Sequence, residues 1–167
     1  MLNKLFSLFS KKENKKDKFP IVHSVAVYKR DTGGMLLFNP LAKHPTGGSA
    51  ATNKTIILDE EINPEALGTT LRQALVLSES ELSWSESIKG DICKDGQVKN
   101  MNQFVKKFSC VGVRFWVEKG IYVISPNKKY KSSGYISEKN DPVFEIGINS
   151  SEIELGRTLL QAFNHCK

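Results

Sequence analysis

An eight-residue stretch occurs twice in this chain, and no other feature of the sequence constrains the fold as strongly. LGTTLRQA at residues 67–74 returns as LGRTLLQA at residues 155–162, with six of eight positions identical and an offset of 88 residues. Each copy follows a run rich in β-branched residues, 55–58 before the first and 143–148 before the second. Such runs are typical of strands. The sequence therefore predicts a duplicated strand–helix unit.

Both predicted helices have suitable first residues and a narrow apolar stripe. Asn63 before Pro64 fits an N-cap followed by proline at the first helical position, and Ser151 with Glu154 fits a capping box. A glycine follows the first leucine of each helix, at a cost of about 1 kcal/mol relative to alanine. We therefore expect each helix to approach a strand or another helix closely at this glycine. The glycines are Gly68 and Gly156, and the stripes are Leu67, Leu71, Ala74 and Leu75, and Leu155, Leu159, Ala162 and Phe163.

The rest of the chain alternates strand and turn patterns. Residues 21–29 and 35–38 flank a Gly-rich turn and predict a hairpin, and 45–53 predicts a surface loop. Residues 80–108 predict short helices interrupted near Asp95-Gly96. From Cys110 onward the pattern predicts an antiparallel meander, with one of its turns beginning at Pro126. We predict an α+β fold: one domain over residues 19–167, with a mixed, mainly antiparallel sheet and helices packed against it.

The formal net charge of +6 is unevenly distributed along the chain. Residues 1–18 carry +4, residues 59–91 carry −6 and residues 92–139 carry +7. This distribution predicts a surface with an acidic side and a basic side.

Residues 1–18 combine apolar residues at helical spacing with six lysines. We interpret them as a basic amphipathic tail, either solvated or in weak contact with an anionic membrane. Their apolar run is too short for a signal peptide. Three cysteines, an odd number, are typical of a reducing compartment. We therefore expect a cytoplasmic protein.

Catalysis needs a constellation of residues, and we identify none in the sequence. His23, His44 and His165 have no metal-ligand spacing, and neither GxSxG nor GxxxxGK[ST] occurs. We expect His23, which lies within a predicted strand, to be packed and hydrogen-bonded. The sequence thus predicts a protein that is not an enzyme and holds no metal or cofactor.

Nucleic-acid binding is one alternative function, because basic residues alternate with aromatic residues late in the chain. Such a surface can neutralise phosphates and stack bases. No recognised nucleic-acid-binding signature accompanies it. Peripheral membrane association through residues 1–18 is another alternative. The basic and aromatic residues are Lys106, Lys107, Arg114, Trp116, Lys119, Tyr122, Lys128, Lys129, Tyr130, Lys131 and Tyr135.

The chain also resembles a known family, through motifs in its C-terminal half. The meander contains Ser125-Pro126 and Gly134-Tyr135-Ile136, and its last strand leads into Glu154-Leu155-Gly156 and Leu159-Leu160-Gln161-Ala162. Over residues 20–167 this pattern resembles the immunity proteins of bacterial contact-dependent growth inhibition systems. The resemblance implies stoichiometric neutralisation of a C-terminal toxin domain delivered by a neighbouring bacterium. It also implies a nuclease toxin whose β-hairpin extends the sheet of the immunity protein.

The resemblance supplies no contact residues, so candidates for partner binding come from charge and aromaticity. We expect the acidic segment 59–91 to face a basic toxin and the exposed edge of the meander to accept a strand. The candidates are Glu60, Glu61, Trp84, Glu86, Arg114, Trp116 and Tyr130.

Overall fold

The computed structural model describes residues 20–43, 48–59, 63–78, 90–131 and 134–166. Within these residues the fold is α+β, as predicted. The strands are β1 (Val22–Arg30), β2 (Leu36–Lys43), β3 (Ser49–Ala51), β4 (Ile56–Leu58), β5 (Phe108–Trp116), β6 (Ile121–Tyr130), β7 (Gly134–Ile136) and β8 (Phe144–Gly147). The helices are α1 (Pro64–Leu77), α2 (Ile92–Asp95), α3 (Met101–Lys107) and α4 (Glu152–Phe163). Residues 1–18 lie outside the described residues, so the tail and the domain boundary stay predictions.

All described strands belong to one sheet, in the order β3-β2-β1-β5-β6-β7. β4 also pairs with β2, and β8 also pairs with β6. On the side away from β1, β2 therefore pairs with two short strands, β3 and β4. On the side away from β5, β6 likewise pairs with two short strands, β7 and β8. Every pair among the described strands is antiparallel.

The duplication predicted from the helices extends through the sheet. Adding 88 to the residue numbers of β1, β2, β4 and α1 gives those of β5, β6, β8 and α4 to within three residues. Val25 pairs with Val113 where β1 meets β5, and these two residues are themselves 88 apart. An approximate twofold axis therefore passes through this pair. We call residues 22–77 the first repeat and residues 108–163 the second repeat.

The main core lies between one face of the sheet and the helices α1 and α4. All eight residues of the two predicted apolar stripes are buried in it. The sheet contributes alternate residues of β1 and β5, among them Val25, Val27, Val111 and Val113. The glycines of the two helices lie where the helices meet, which confirms the expected close approach.

The helix starts also agree with the sequence. The Asn63 side chain accepts a hydrogen bond from the Glu65 amide at 2.9 Å, and Pro64 is the first helical residue. The Ser151 hydroxyl accepts from the Glu154 amide at 3.2 Å. Both caps satisfy amide groups that a helix start leaves unpaired.

A second, smaller core covers one end of the opposite face of the sheet, the face turned away from α1 and α4. Phe104 of α3 stacks on Phe108 at 4.4 Å between ring centroids and meets Tyr28 edge-on at 5.0 Å. Met35 and Leu37 complete the buried set. The two short helices α2 and α3 confirm the interruption predicted near Asp95-Gly96.

The loop predicted for residues 45–53 is wrong in its second half. Ser49–Ala51 forms β3 and pairs with residues 41–43 of β2. The pairing is made by backbone groups at the edge of the sheet, so it does not require the large apolar side chains on which the prediction relied.

The turn predicted to begin at Pro126 is also wrong, because β6 is continuous through this residue. The outer side of β6 pairs with β8 as far as Ile124 and with β7 from Lys128 onward. Pro126 lies opposite the gap between the two outer strands, where a missing N–H is tolerated. Pro40 lies in the corresponding gap beside β2, between β4 and β3.

Candidate partner-binding surface

Three of the seven candidate residues lie within the described residues: Arg114, Trp116 and Tyr130. The other four, Glu60, Glu61, Trp84 and Glu86, lie outside the described residues, and their part in binding stays a prediction.

Arg114 and Trp116 project from the same face of β5, because side chains two residues apart on a strand share a face. This is the opposite face of the sheet, since Val113 and Phe115 point into the core beneath α1 and α4. Arg114 is exposed and Trp116 is half-buried. Lys119 Nζ lies 5.1 Å from the centroid of the Trp116 ring, within range of a cation–π interaction. The structure thus places two of the predicted residues together.

Tyr130 lies away from this pair. It is the last residue of β6, whereas Trp116 pairs with Ile121, the first residue of that strand. Tyr130 lies nine residue steps along the strand from Ile121, about 30 Å at roughly 3.3 Å per residue. The three described candidates therefore do not form one patch.

Two lysines of the predicted basic surface take part in ion pairs. Lys128 Nζ lies 2.6 Å from Glu138 and 3.0 Å from Asp141, and Lys129 Nζ lies 2.6 Å from Asp31. The hydrogen bond to Glu138 raises the pKa of Lys128, and a hydrogen bond from the Glu138 backbone, with Lys128 nearby, lowers the pKa of Asp141. These carboxylates compete with phosphates for the two lysines.

Tyr122, predicted as part of the same surface, is buried and bonded to Arg72. Arg72 Nη1 donates to the Tyr122 hydroxyl at 3.1 Å, and the guanidinium also reaches the carbonyl oxygens of Ile148 and Ser150. Arg72 Nε lies 3.7 Å from the Glu152 carboxylate. Burial raises the pKa of Tyr122, although Arg72 opposes that shift. Arg72, which is 8% exposed, thus ties α1 to the residues that lead into α4.

The first turns of α1 and α4 meet, and both carry acidic residues. Gly68 of α1 lies against Glu152 of α4, so the two first turns are neighbours. Glu65 and Glu154 lie in these turns, and both are exposed. Neither forms an ion pair with another residue in the described part of the chain. We call Glu65, Glu152 and Glu154 the acidic crossing. Of these three residues, only Glu65 lies in the segment 59–91 that the sequence predicts to be acidic.

His23 is packed and hydrogen-bonded, as expected. Its Nδ1 lies 2.9 Å from the Ser78 hydroxyl, which in turn donates to the carbonyl of Leu75 at 2.7 Å. Burial lowers the pKa of His23. The pair links β1 to the end of α1, which is a structural role.

The described residues hold no group of three or more His, Cys, Asp or Glu placed to bind a metal ion. Burial raises the pKa of the Cys110 thiol to about 12 and also raises the pKa of Cys166. Thiols with raised pKa values are weak nucleophiles. In the part of the chain that is described, no helix is long and apolar enough to cross a membrane.

The sequence model of one protein family matches most of the chain. The family is CdiI, the CDI immunity proteins, and the match covers residues 13–166. The chain belongs to the CDI immunity protein family. The resemblance noted over residues 20–167 is therefore confirmed. Proteins of this family act in contact-dependent growth inhibition as toxin inhibitors, through protein–protein interaction.

Two solved structures share the fold of this CDI immunity protein. A protein of unknown function from Neisseria meningitidis superposes with a TM-score of 0.71 at 18% sequence identity, over 91% of this chain and 99% of that one. A chain of the CdiA-CT/CdiI toxin and immunity complex from Yersinia pseudotuberculosis superposes with a TM-score of 0.66 at 13% identity, over 87% of this chain and 98% of that one. A comparison with curated protein sequences finds no match.

Proposed function

We propose that this CDI immunity protein neutralises one cognate toxin domain by forming a stoichiometric heterodimer with it in the cytoplasm. Neutralisation requires no bond-making step by the immunity protein, only that the bound surface prevents the toxin from acting. The family match over residues 13–166 is the observation that carries this proposal. The similarity to a chain of the Yersinia pseudotuberculosis toxin and immunity complex supports it.

We further propose that the toxin is a nuclease. A nuclease cleft that holds phosphates is basic, so its inhibitor benefits from an acidic surface that steers association. This chain carries a net −6 over residues 59–91 and exposes Glu65 and Glu154 at the acidic crossing. Both features suit a basic partner.

The first experiment pairs this chain with the C-terminal domain of the exoprotein encoded directly upstream of its gene. Co-expression of the two is expected to protect cells that the toxin domain alone would kill, and a pull-down is expected to recover a one-to-one complex. The purified toxin domain is then incubated with DNA and RNA, with and without the immunity protein. Cell death despite co-expression, with no complex recovered, would contradict the proposal.

The role of the acidic segment is tested by reversing the three predicted glutamates, Glu60, Glu61 and Glu86, to Lys. We expect slower association with the toxin domain and a weaker dependence of the association rate on salt. A chain with the same reversals at Asp95, Glu118 and Glu145 has the same net charge and is the matched control. If both variants associate at the rate of the unmodified chain, the acidic segment does not steer the toxin.

The alternative functions are tested in the same preparations. The ion pairs of Lys128 and Lys129 disfavour a nucleic-acid surface, and a titration with oligonucleotides at low salt should be flat. Deletion of residues 1–18 followed by co-sedimentation with anionic liposomes tests weak membrane contact through the predicted tail.

A further inference from the structure

The two ends of the opposite face of the sheet are related by the approximate twofold axis. At one end, Tyr28 of β1 pairs with Cys110 of β5. At the other end, Trp116 of β5 pairs with Val22 of β1. The offset of 88 residues relates Tyr28 to Trp116, and it also relates the two partners. Trp116 therefore occupies in the second repeat the place that Tyr28 has in the first.

The segment of chain that leads into the second repeat covers the Tyr28 end of this face. Phe104 of α3 meets Tyr28 edge-on at 5.0 Å and is fully buried. Arg30 Nη2 donates to the carbonyl of Gly96 at 2.7 Å, which fastens the turn between α2 and α3 to β1. α3 then runs directly into β5. Residues 90–107 thus build the smaller core at the end of the face where their repeat begins.

A segment with apolar residues also leads into the first repeat. By the offset of 88, the counterpart of residues 90–107 is residues 2–19. The Val117 amide donates to the Ile21 carbonyl at 3.2 Å, so the chain enters β1 beside Trp116. Four apolar residues at helical spacing, which we call the N-terminal stripe, lie in this segment: Leu2, Leu5, Phe6 and Phe9.

The Trp116 end of the face presents apolar side chains where such a segment would lie. Val22, Trp116 and Ile121 form a row across three strands, and all three are half-buried. We call them the Trp116 row. Val123 lies next to this row, opposite Arg114, and is 9% exposed. Leucine and phenylalanine side chains that pack on the row would remove further apolar area from water.

We propose that the N-terminal stripe packs on the Trp116 row of the same chain. The segment before the first repeat then covers one end of the opposite face, as residues 90–107 cover the other end. Trp116, a predicted toxin contact, is thereby assigned to a contact within the chain. The proposal does not depend on the proposed function.

Tethering favours this occupant over a separate molecule. The N-terminal segment joins β1 next to the Trp116 row, so its effective concentration at this surface is in the millimolar range. A second copy or a toxin domain would have to bind from solution at a far lower concentration. Residues 79–89 are the competing occupant within the chain, because they follow Ser78, which contacts His23 near the start of β1. The symmetry favours the N-terminal segment, since α3 covers the other end immediately before its own strand begins.

The test uses Trp116 as a fluorescent probe in the full-length chain with Trp84→Phe, because the chain has two tryptophans. In this background, Leu5→Asp with Phe6→Asp is expected to shift the emission to the red. The same pair should raise the acrylamide quenching constant of Trp116 at least about twofold, because the ring loses apolar cover. Asn3→Asp with Ser7→Asp makes the same change in net charge off the stripe, and should leave emission and quenching nearly unchanged. Circular dichroism checks that each variant folds.

A second measurement needs no substitution. NMR spectra of the unmodified chain are expected to show nuclear Overhauser effects between the rings of Phe6 and Phe9 and the methyl groups of Val22 and Ile121. These effects should persist on dilution, because both groups belong to one molecule.

Each other outcome overturns the proposal. Equal quenching in the stripe variant and its control, with no Overhauser effects from Phe6 or Phe9, would show that the stripe does not contact the Trp116 row. The same result with co-sedimentation on anionic liposomes would assign the stripe to a membrane surface. Overhauser effects from Trp84 in place of those from Phe6 and Phe9 would assign the row to residues 79–89. Protection of Trp116 that is lost on dilution would assign it to a second copy, and protection that begins only when the toxin domain is added would assign it to the toxin.

Discussion

Gly68 lies with its Cα against the backbone carbonyl of Glu152, and the same contact recurs with the helices exchanged, between Gly156 and Pro64. The two contacts are equivalent by the offset of 88 residues: Gly156 is the counterpart of Gly68, and Glu152 is the counterpart of Pro64. The approximate twofold axis that relates β1 to β5 therefore also relates α1 to α4. Glycine at these two positions costs helical stability but allows the backbones of the two helices to touch.

Gly68→Ala tests this contact. A Cβ at residue 68 would overlap the Glu152 carbonyl oxygen and lie 2.6 Å from its carbonyl carbon. Because both groups are backbone, the helices must separate to accommodate the methyl group. We expect a loss of about 2–3 kcal/mol in the free energy of unfolding, despite the better helix propensity of alanine. Urea denaturation measures it. Gly147→Ala, where a Cβ has nothing within 4 Å, is the control. Equal midpoints for the two variants would contradict a close helix contact.

Arg72→Leu tests the link between α1 and the start of α4. Leucine is the residue that the second repeat has at the equivalent position, Leu160. The substitution leaves the carbonyls of Ile148 and Ser150 and the Tyr122 hydroxyl without this donor. We expect a loss of about 3 kcal/mol, from buried groups left unpaired.

Two further variants isolate the geometry of the Arg72 interaction. Arg72→Lys keeps the charge but not the planar fork, so it should recover only part of the lost stability. Arg157→Leu removes an exposed arginine from α4 and should change the thermal midpoint little. A thermal midpoint for Arg72→Leu equal to that of Arg157→Leu would show that the hydrogen bonds of Arg72 do not stabilise the fold.

His23 makes stability depend on pH. Burial lowers its pKa below the usual 6.5, so the folded protein binds the proton less readily than the unfolded chain. The stability contributed by neutral His23 is therefore complete above pH 6.5 and is lost as the pH falls through the lowered pKa. We expect the urea midpoint to fall between pH 7 and pH 5, and His23→Gln to reduce that fall. His165→Gln, at an exposed C-terminal position, is the control. A pH dependence that persists unchanged in His23→Gln would assign it to other groups.

The sequence predicted correctly those helices and strands whose pattern of apolar residues matches the face that is buried in the folded protein. The repeated helices were found because Leu67, Gly68 and their counterparts 88 residues later occur in the same order, and packing on one face of a sheet requires that order. The alternating residues of β5 were predicted for the same reason, since Val111, Val113 and Phe115 all enter the main core.

Other features depend on contacts distant in the sequence. β3 is a strand because β2 pairs with it, and Pro126 lies within a strand because β7 and β8 leave a gap beside it. The role of Arg72 was not predicted, although the second repeat has Leu160 at the equivalent position. Of the predicted contact residues, Arg114 and Trp116 come together, whereas Tyr130 could be placed far from them only once the length of β6 was known.

The acidic crossing yields a kinetic prediction for toxin binding. Glu65→Lys and Glu154→Lys each reverse an exposed charge that has no ion-pair partner among the described residues. If the acidic crossing steers a basic toxin, each reversal should slow association by about three- to tenfold at low salt and leave dissociation nearly unchanged. Stopped-flow fluorescence at several salt concentrations measures both rates. Glu145→Lys makes the same change in net charge on β8 and is the control. Thermal melting accompanies each measurement, because lysine in the first turn of a helix opposes the helix dipole. Association rates that match the control at every salt concentration would place the steering surface elsewhere.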